Sequence, residues 1–347
     1  MGDAERKNVI VVGAGASAEF DLPTGKDLLE KIASRMRFKF EGGRPSYIGD
    51  ETVFHAIRHL ASKEGKRSAD NRPYFLEASR IEYNMPIAPS IDQYLDTHRE
   101  NKIAVELGKV GIVKSIIDAE RESLLFVDNS NIYNKLDTFR IKNTWLKEFF
   151  GILVSQRDFD AFLSALSNIT FVSFNYDRCI AQFFLQVSKE YFGLSQGQLG
   201  EVERTLRVIH PYGSLGALRW RLPADSGFGE ELSADQLIEV AAKVKTFTEG
   251  SESKEIEEIR NAFFEADLIM FLGFSFLPLN MDMLLGGERF ECSRVLATSK
   301  GLSGESAELV SQELAIKLAG GDRSRIAMKN CRCFELFFEF QRFMIGA

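Results

Sequence analysis

The chain has 347 residues, 45% of them hydrophobic, and a formal net charge of -7 at pH 7. A chain of this size can bury a large core, as one domain or two intimate ones. Its acidic balance argues against direct nucleic-acid binding, because phosphate contacts need clustered Lys and Arg. No apolar run approaches the ~20 residues that span a bilayer.

The opening text, MGDAERKNVIVVGAG, turns from charged residues straight into a strand and a glycine turn. It lacks the apolar stretch and cleavage site of a secretory signal. It begins Met-Gly but lacks the Ser or Thr that a myristoylation signal favours. The cysteines are Cys179, Cys292, Cys331 and Cys333, with no CxxC pair, so a four-cysteine zinc ribbon cannot be built. Scattered thiols of this kind suit a reducing cytoplasm and are read as buried or idle.

In chain order, Asn8 to Val12 (NVIVV) is a β-branched run read as a buried strand. GAGAS follows at Gly13 to Ser17, and then a helix with Leu28, Leu29, Ile32 and Ala33 on one face. Residues 38–160 read as a large, mostly helical insertion, with an exposed loop over Glu64 to Pro73 (EGKRSADNRP). Strands return at Ile169 to Ser173 and at Thr205 to His210, and a polar helical stretch, Ser226 to Ile256, reads as a surface element. Two more strands follow, Leu268 to Leu272 and Arg294 to Thr298, then a helix over ELVSQELAIKLAG. The last segment, CFELFFEFQRF, is too aromatic for a solvated end and should pack on the body. Strands alternating with helices predict an α/β protein: a Rossmann-like parallel sheet from residues 1–37 and 161–347, interrupted by the 38–160 helical insertion. In such sheets ligands bind at the carboxyl ends of the strands. Four of the five strands end in GAGAS, FNYD, HPYGS or GFS, so these distant segments should meet along one edge.

Each motif also has a plainer reading. Glycines at Gly13 and Gly15 allow a pyrophosphate to approach Ala14 and Ser17 at a helix start, or simply close a strand. Asn175 and Asp177 lie at the end of a buried strand, where polar groups are costly unless bonded; either can instead cap a helix. His210 lies at a strand end before Pro211 and Gly213, and its ordinary pKa of about 6.5 suits a general base. Gly273 and Ser275 mark a tight strand exit beside a ligand, or ordinary loop chemistry. Asp92, in SIDQYL, either caps a helix, for which Ser90 is the better candidate, or reaches into the site from the insertion. His55 and His59 share a helix face at i, i+4 without a third ligand, so no metal is expected. His98 reads as a surface residue.

Taken together, GAGAS, FNYD, HPYGSLG and LGFSF in this order resemble the sirtuin superfamily, closest to the sirtuin-like domains of bacterial antiphage defence proteins. The matching positions are Gly13 to Ser17, Asn175 with Asp177, His210 with Gly213, and Gly273 with Ser275. The resemblance covers the α/β body and much less of the insertion. It departs where Leu22-Pro23-Thr24-Gly25-Lys26 replaces an Asp-Phe-Arg stretch, where Pro and Tyr separate His210 from Gly213, and where zinc ligands are missing. These departures argue against acyl-lysine deacylation.

The resemblance implies cleavage of NAD to nicotinamide and ADP-ribose, as a regulated NAD-depleting effector in abortive infection. NAD would be the substrate. Gly13, Ala14, Gly15 and Ser17 would meet the diphosphate, Asn175 the ribose or the attacking water, and Asp177 the nicotinamide carboxamide. His210 would accept a proton, and Gly273 and Ser275 would line the adenosine side. It further implies a homo-oligomer and a second defence protein, such as an ATPase or a nucleic-acid sensor, with no membrane partner. The rival readings are a module that senses NAD or ADP-ribose without turnover, a deacylase, and an oxidoreductase. The last lacks the acidic residue expected about twenty positions after the glycines.

Overall fold

The structure is a computed structural model that describes residues 6–63, 70–128, 133–218, 226–251 and 254–345. The chain enters the sheet at once with β1 (Asn8–Val12). The glycine turn does not lead directly into the expected helix. A single turn, α1 (Ala14–Ser17), passes into a 3-10 turn over Ala18–Phe20 and stops at Asp21, whose φ of 67° is left-handed. Extended residues then lead to α2 (Gly25–Arg35), which starts at a capping box between Thr24 and Asp27. Pro23 and the cap place the helix start there, later than the glycines suggest.

Within 38–160, β2 (Phe38–Glu41) and β3 (Arg44–Ile48) form an antiparallel hairpin that the pattern of apolar residues did not announce. Gly42 and Gly43, both at positive φ, make its tight turn. Next come the helices α3 (Glu51–Lys63), α4 (Arg72–Asn84), α5 (Ile91–Thr97), α6 (Lys102–Glu122), α7 (Trp145–Val154) and α8 (Phe159–Ser167). Most of the loop expected over Glu64 to Pro73 lies outside the described residues; its last two residues open α4.

The sheet then resumes with β4 (Ile169–Ser173), α9 (Cys179–Phe192), α10 (Gln196–Thr205) and β5 (Arg207–Ile209). After α11 (Ala234–Ala241), α12 (Phe247–Ser251) and α13 (Lys254–Glu265) come β6 (Leu268–Leu272), α14 (Pro278–Leu285), β7 (Arg294–Thr298), α15 (Gly304–Leu318), β8 (Ile326–Lys329) and α16 (Cys333–Ile345). Six strands pair in the order β5-β4-β1-β6-β7-β8, every pairing parallel. This is a Rossmann-like α/β sheet carrying many helices. Its sixth strand, β8, escaped the sequence reading because an edge strand needs no strong apolar run; all four of its residues are only partly buried.

β1 sits at the centre, and its side chains alternate between two cores. Val9 and Val11 face a cluster with α2, α3, α4, α6 and α11. Ile10 and Val12 face a cluster with α7, α8, α9 and α16. Helices from 38–160 therefore contribute to both faces. Arg35 ties α6 to α2 and α3, reaching Asp50 at 2.8 Å and Asp118 at 2.7 Å. The stretch 226–256 is more than a surface element: Leu237, Val240 and Ala241 of α11 are buried at helical spacing. The aromatic C-terminal helix packs as its composition requires, with Phe337 stacked near Trp145 and 5.5 Å from Phe149.

Candidate functional site

Because all six strands are parallel, GAGAS, FNYD, HPYGS and GFS emerge at one edge of the sheet. The strand order reverses between β1 and β6, the position at which such sheets hold ligands. The exits of these two strands are in tight contact. The Gly13 N–H donates to the Leu272 carbonyl (3.0 Å), and the Gly15 N–H donates to the Gly273 carbonyl (3.0 Å). A Cβ at Gly13 would lie 2.5 Å from the Gly273 oxygen. At Gly273, where φ is +56°, a Cβ would lie 2.1 Å from the Ala16 nitrogen. Both glycines are thus required by the packing itself. The Ala16 N–H also bonds internally, to the Gly13 carbonyl at 3.0 Å. Ala14 and Gly15 keep an accessible face, whereas Ser17 is buried.

Asn175 joins this turn to β4. Its side-chain amide nitrogen donates to the Gly13 carbonyl (2.9 Å) and to Ser17 Oγ (2.8 Å). A carbonyl only accepts, so the amide must turn its NH2 group to Gly13. Both amide hydrogens are then committed. No hydrogen bond to its Oδ1 occurs among the described residues.

His210 follows β5 and reaches the same residue: its Nδ1 lies 3.0 Å from the Asn175 carbonyl. That oxygen fixes the proton on Nδ1 and leaves Nε2 with its lone pair. Burial pushes the imidazole below its ordinary range, opposed by the bond to Asn175 and by the Asp177 charge. The ring is therefore a neutral base at neutral pH. Gly213 closes the turn, its N–H donating to the His210 carbonyl (3.0 Å), with φ at +72° and a Cβ position 2.2 Å from the Lys243 oxygen.

Asp177 performs the plainer task foreseen for it, accepting from the Cys179 N–H (3.1 Å) at the start of α9. It also lines, with His210 and Ser214, a cleft of about 270 Å³ beside β5. The structure thus brings together Gly13, Ser17, Asn175 and His210 by direct bonds, with Asp177 adjacent. Ser275 is not drawn in: it is exposed on the loop after β6, and no contact links it to Asn175 or His210 among the described residues.

The insertion does reach the site. Ser90 caps α5 through the Gln93 N–H (3.1 Å), which frees Asp92 to accept a short hydrogen bond from the Tyr176 hydroxyl. Burial raises the Asp92 carboxyl, against the lowering effect of that bond. Burial first, and then the Asp92 charge, push the Tyr176 phenol well above its usual range. His98 is partly buried, not a free surface residue: it stacks on Tyr94 at 4.2 Å. His59 pairs with Asp235 at 2.8 Å. No group of three or more His, Cys, Asp or Glu suited to a metal ion occurs among the described residues.

Three charged residues near the strand exits are not marked by any motif. Arg178 follows the Asn-Tyr-Asp motif and is buried against Glu120 of α6, with contacts of 3.1 and 2.5 Å. Its guanidinium also donates to the Ser226 and Gly227 carbonyls (3.1 and 3.0 Å), and Glu120 accepts from the Gly229 N–H (3.0 Å). Glu120 was legible in principle, since it continues the apolar stripe Val113, Ile116 and Ile117. The third, Glu19, sits two residues after the glycine turn. Its carboxylate accepts from Trp145 N–H (2.8 Å) and Phe334 N–H (3.2 Å), at the starts of α7 and α16. Burial raises its pKa to about 7 despite those bonds. No protein-family model matches this chain, and no curated protein matches it.

Proposed function

We propose that this protein is an NAD glycohydrolase, cleaving the nicotinamide–ribose bond of NAD. The observation that carries this reading is the bonded set Gly13–Asn175–His210, which links a glycine turn, an amide and a neutral imidazole at the switch point of the sheet. The nicotinamide leaves as a neutral base from a cationic ring, so little acid assistance is needed. The site must hold the dinucleotide and stabilise an oxocarbenium-like ribose. Water adds its oxygen to the ribose C1′ as the C1′–N bond breaks and its electron pair goes to nicotinamide. His210 Nε2 accepts the water proton, and Asn175 Oδ1 orients the water or a ribose hydroxyl. The accessible Ala14–Gly15 face meets the diphosphate, Asp177 the carboxamide, and Gly273 and Ser275 the adenosine side. The insertion roofs the site and limits water.

An unrestrained activity of this kind would harm its host. The resemblance to sirtuin-like domains of antiphage defence proteins extends this reading to a cytoplasmic, oligomeric defence effector, held at low basal activity and released by a partner. The test is nicotinamide release from NAD by purified protein beside Asn175→Ala and His210→Ala. Release that vanishes in both variants supports the reading; release undiminished in His210→Ala removes the imidazole from the mechanism.

One observation favours a second reading, an NAD or ADP-ribose sensor without turnover. Both amide hydrogens of Asn175, the side chain that would orient water, are already spent inside the protein as a tie between β4 and the glycine turn. Stoichiometric binding with no nicotinamide release, alone or with partners, would decide for it.

A further inference from the structure

One cleft, larger than that beside β5, is remote from the strand exits. It lies at the opposite, amino-terminal edge of the sheet and encloses about 640 Å³, within the range of small-molecule sites. Its floor is built from the starts of β1, β4, β6 and β7, through residues such as Ile10, Leu268 and Met270. Its walls come from α7 and α8, where Phe149 and Leu153 face Ala161 and Ala165. The small residues of α8, Ala161, Ser164 and Ala165, leave space against the large ones of α7.

The mouth is charged, and unevenly so. Arg6, Arg157 and Arg294 line it against a single carboxylate, Asp267. That carboxylate already accepts from the Lys7 N–H at 3.0 Å. Arg157 is held in place by the end of α7: its Nη1 donates to the Ile152 and Leu153 carbonyls, each at 3.1 Å. No hydrogen bond from its Nε or Nη2 occurs among the described residues. A fixed guanidinium with spare donors, above an apolar floor, is the arrangement that recognises an anionic head on an apolar body.

We infer that this cleft is a second binding site, remote from the strand-exit site, for a small amphipathic anion: a carboxylate or sulfonate joined to an aromatic or alkyl body. The apolar part would lie between α7 and the strands, and the anion would meet Arg157 and Arg6.

The probe is 1-anilinonaphthalene-8-sulfonate, titrated by fluorescence against the full chain. Its uncharged analogue, N-phenyl-1-naphthylamine, serves as the charge control. One saturable site is expected. Ala161→Trp, on an exposed position of α8, should fill the cleft and weaken binding by about tenfold or more without disturbing the fold, as checked by thermal unfolding. Arg6→Gln with Arg157→Gln should weaken the sulfonate by about tenfold, the scale of lost charge-assisted hydrogen bonds, and leave the neutral analogue unchanged. Absence of a saturable site, or equal affinity in Ala161→Trp, overturns the site. Equal affinity for the neutral analogue overturns its anionic character.

Discussion

His210 and Arg178 are both held by buried polar partners, but with opposite consequences for charge. His210 is kept neutral by burial, so its protonation is deferred to more acid pH. If it is the base, the rate of nicotinamide release should hold on lowering the pH past about 6.5, where an unperturbed histidine protonates, and fall only below that. A pH–rate profile checks this. The same shift makes the folded state lose stability as pH drops through that acid window, because the unfolded imidazole takes up its proton first. Arg178 is charged and fully partnered, so removing it strands the Glu120 carboxylate in the core. Arg178→Met should cost about 3–5 kcal/mol, read as a shifted urea midpoint with an unchanged slope.

At the scale of elements, Glu19 clamps two helices that are almost two hundred residues apart in sequence, α7 and α16, beside the glycine turn. Its carboxyl is raised to about 7, so between its ordinary range and that value the native state retains a proton that the unfolded chain releases. Stability should therefore fall as pH rises across this window, by at most about 3.4 kcal/mol at 1.36 kcal/mol per unit. Glu19→Gln keeps an acceptor and removes the titration; unfolding measured at pH 5 and pH 8 should lose its Glu19-dependent slope. An unchanged slope would assign the pH dependence to other groups. The hairpin β2–β3 differs in kind. Its strands are mostly exposed, so no apolar alternation marks them, and only the paired glycines signal the turn.

At the scale of the whole molecule, the parallel order of six strands brings the Gly13, Asn175 and His210 segments to one edge and leaves the Arg-rimmed cleft at the other. Binding at the strand exits should stabilise the fold by mass action, by about 2.7 kcal/mol at a ligand concentration 100 times Kd. On the proposed NAD glycohydrolase reading the imidazole serves the chemistry more than the grip, so NAD should raise the unfolding midpoint of His210→Ala as well as of the parent. No shift in either protein would sink the NAD reading.

The sequence alone determined five of the six sheet strands and the edge at which the motifs gather. Apolar runs and glycine turns are local signals, and local signals survive in one dimension. It did not determine which polar groups bond to which. That Asn175 spends both amide hydrogens on the glycine turn, that Asp92 accepts from Tyr176, and that Ser275 stays in solvent are matters of distance between segments far apart in the chain. Glu120 stands in line with the apolar stripe of α6, but nothing local marks Glu19, and the partners of both come only from packing. Only the tertiary structure decides these, because the cost of burying a polar group is set by the partner that meets it there.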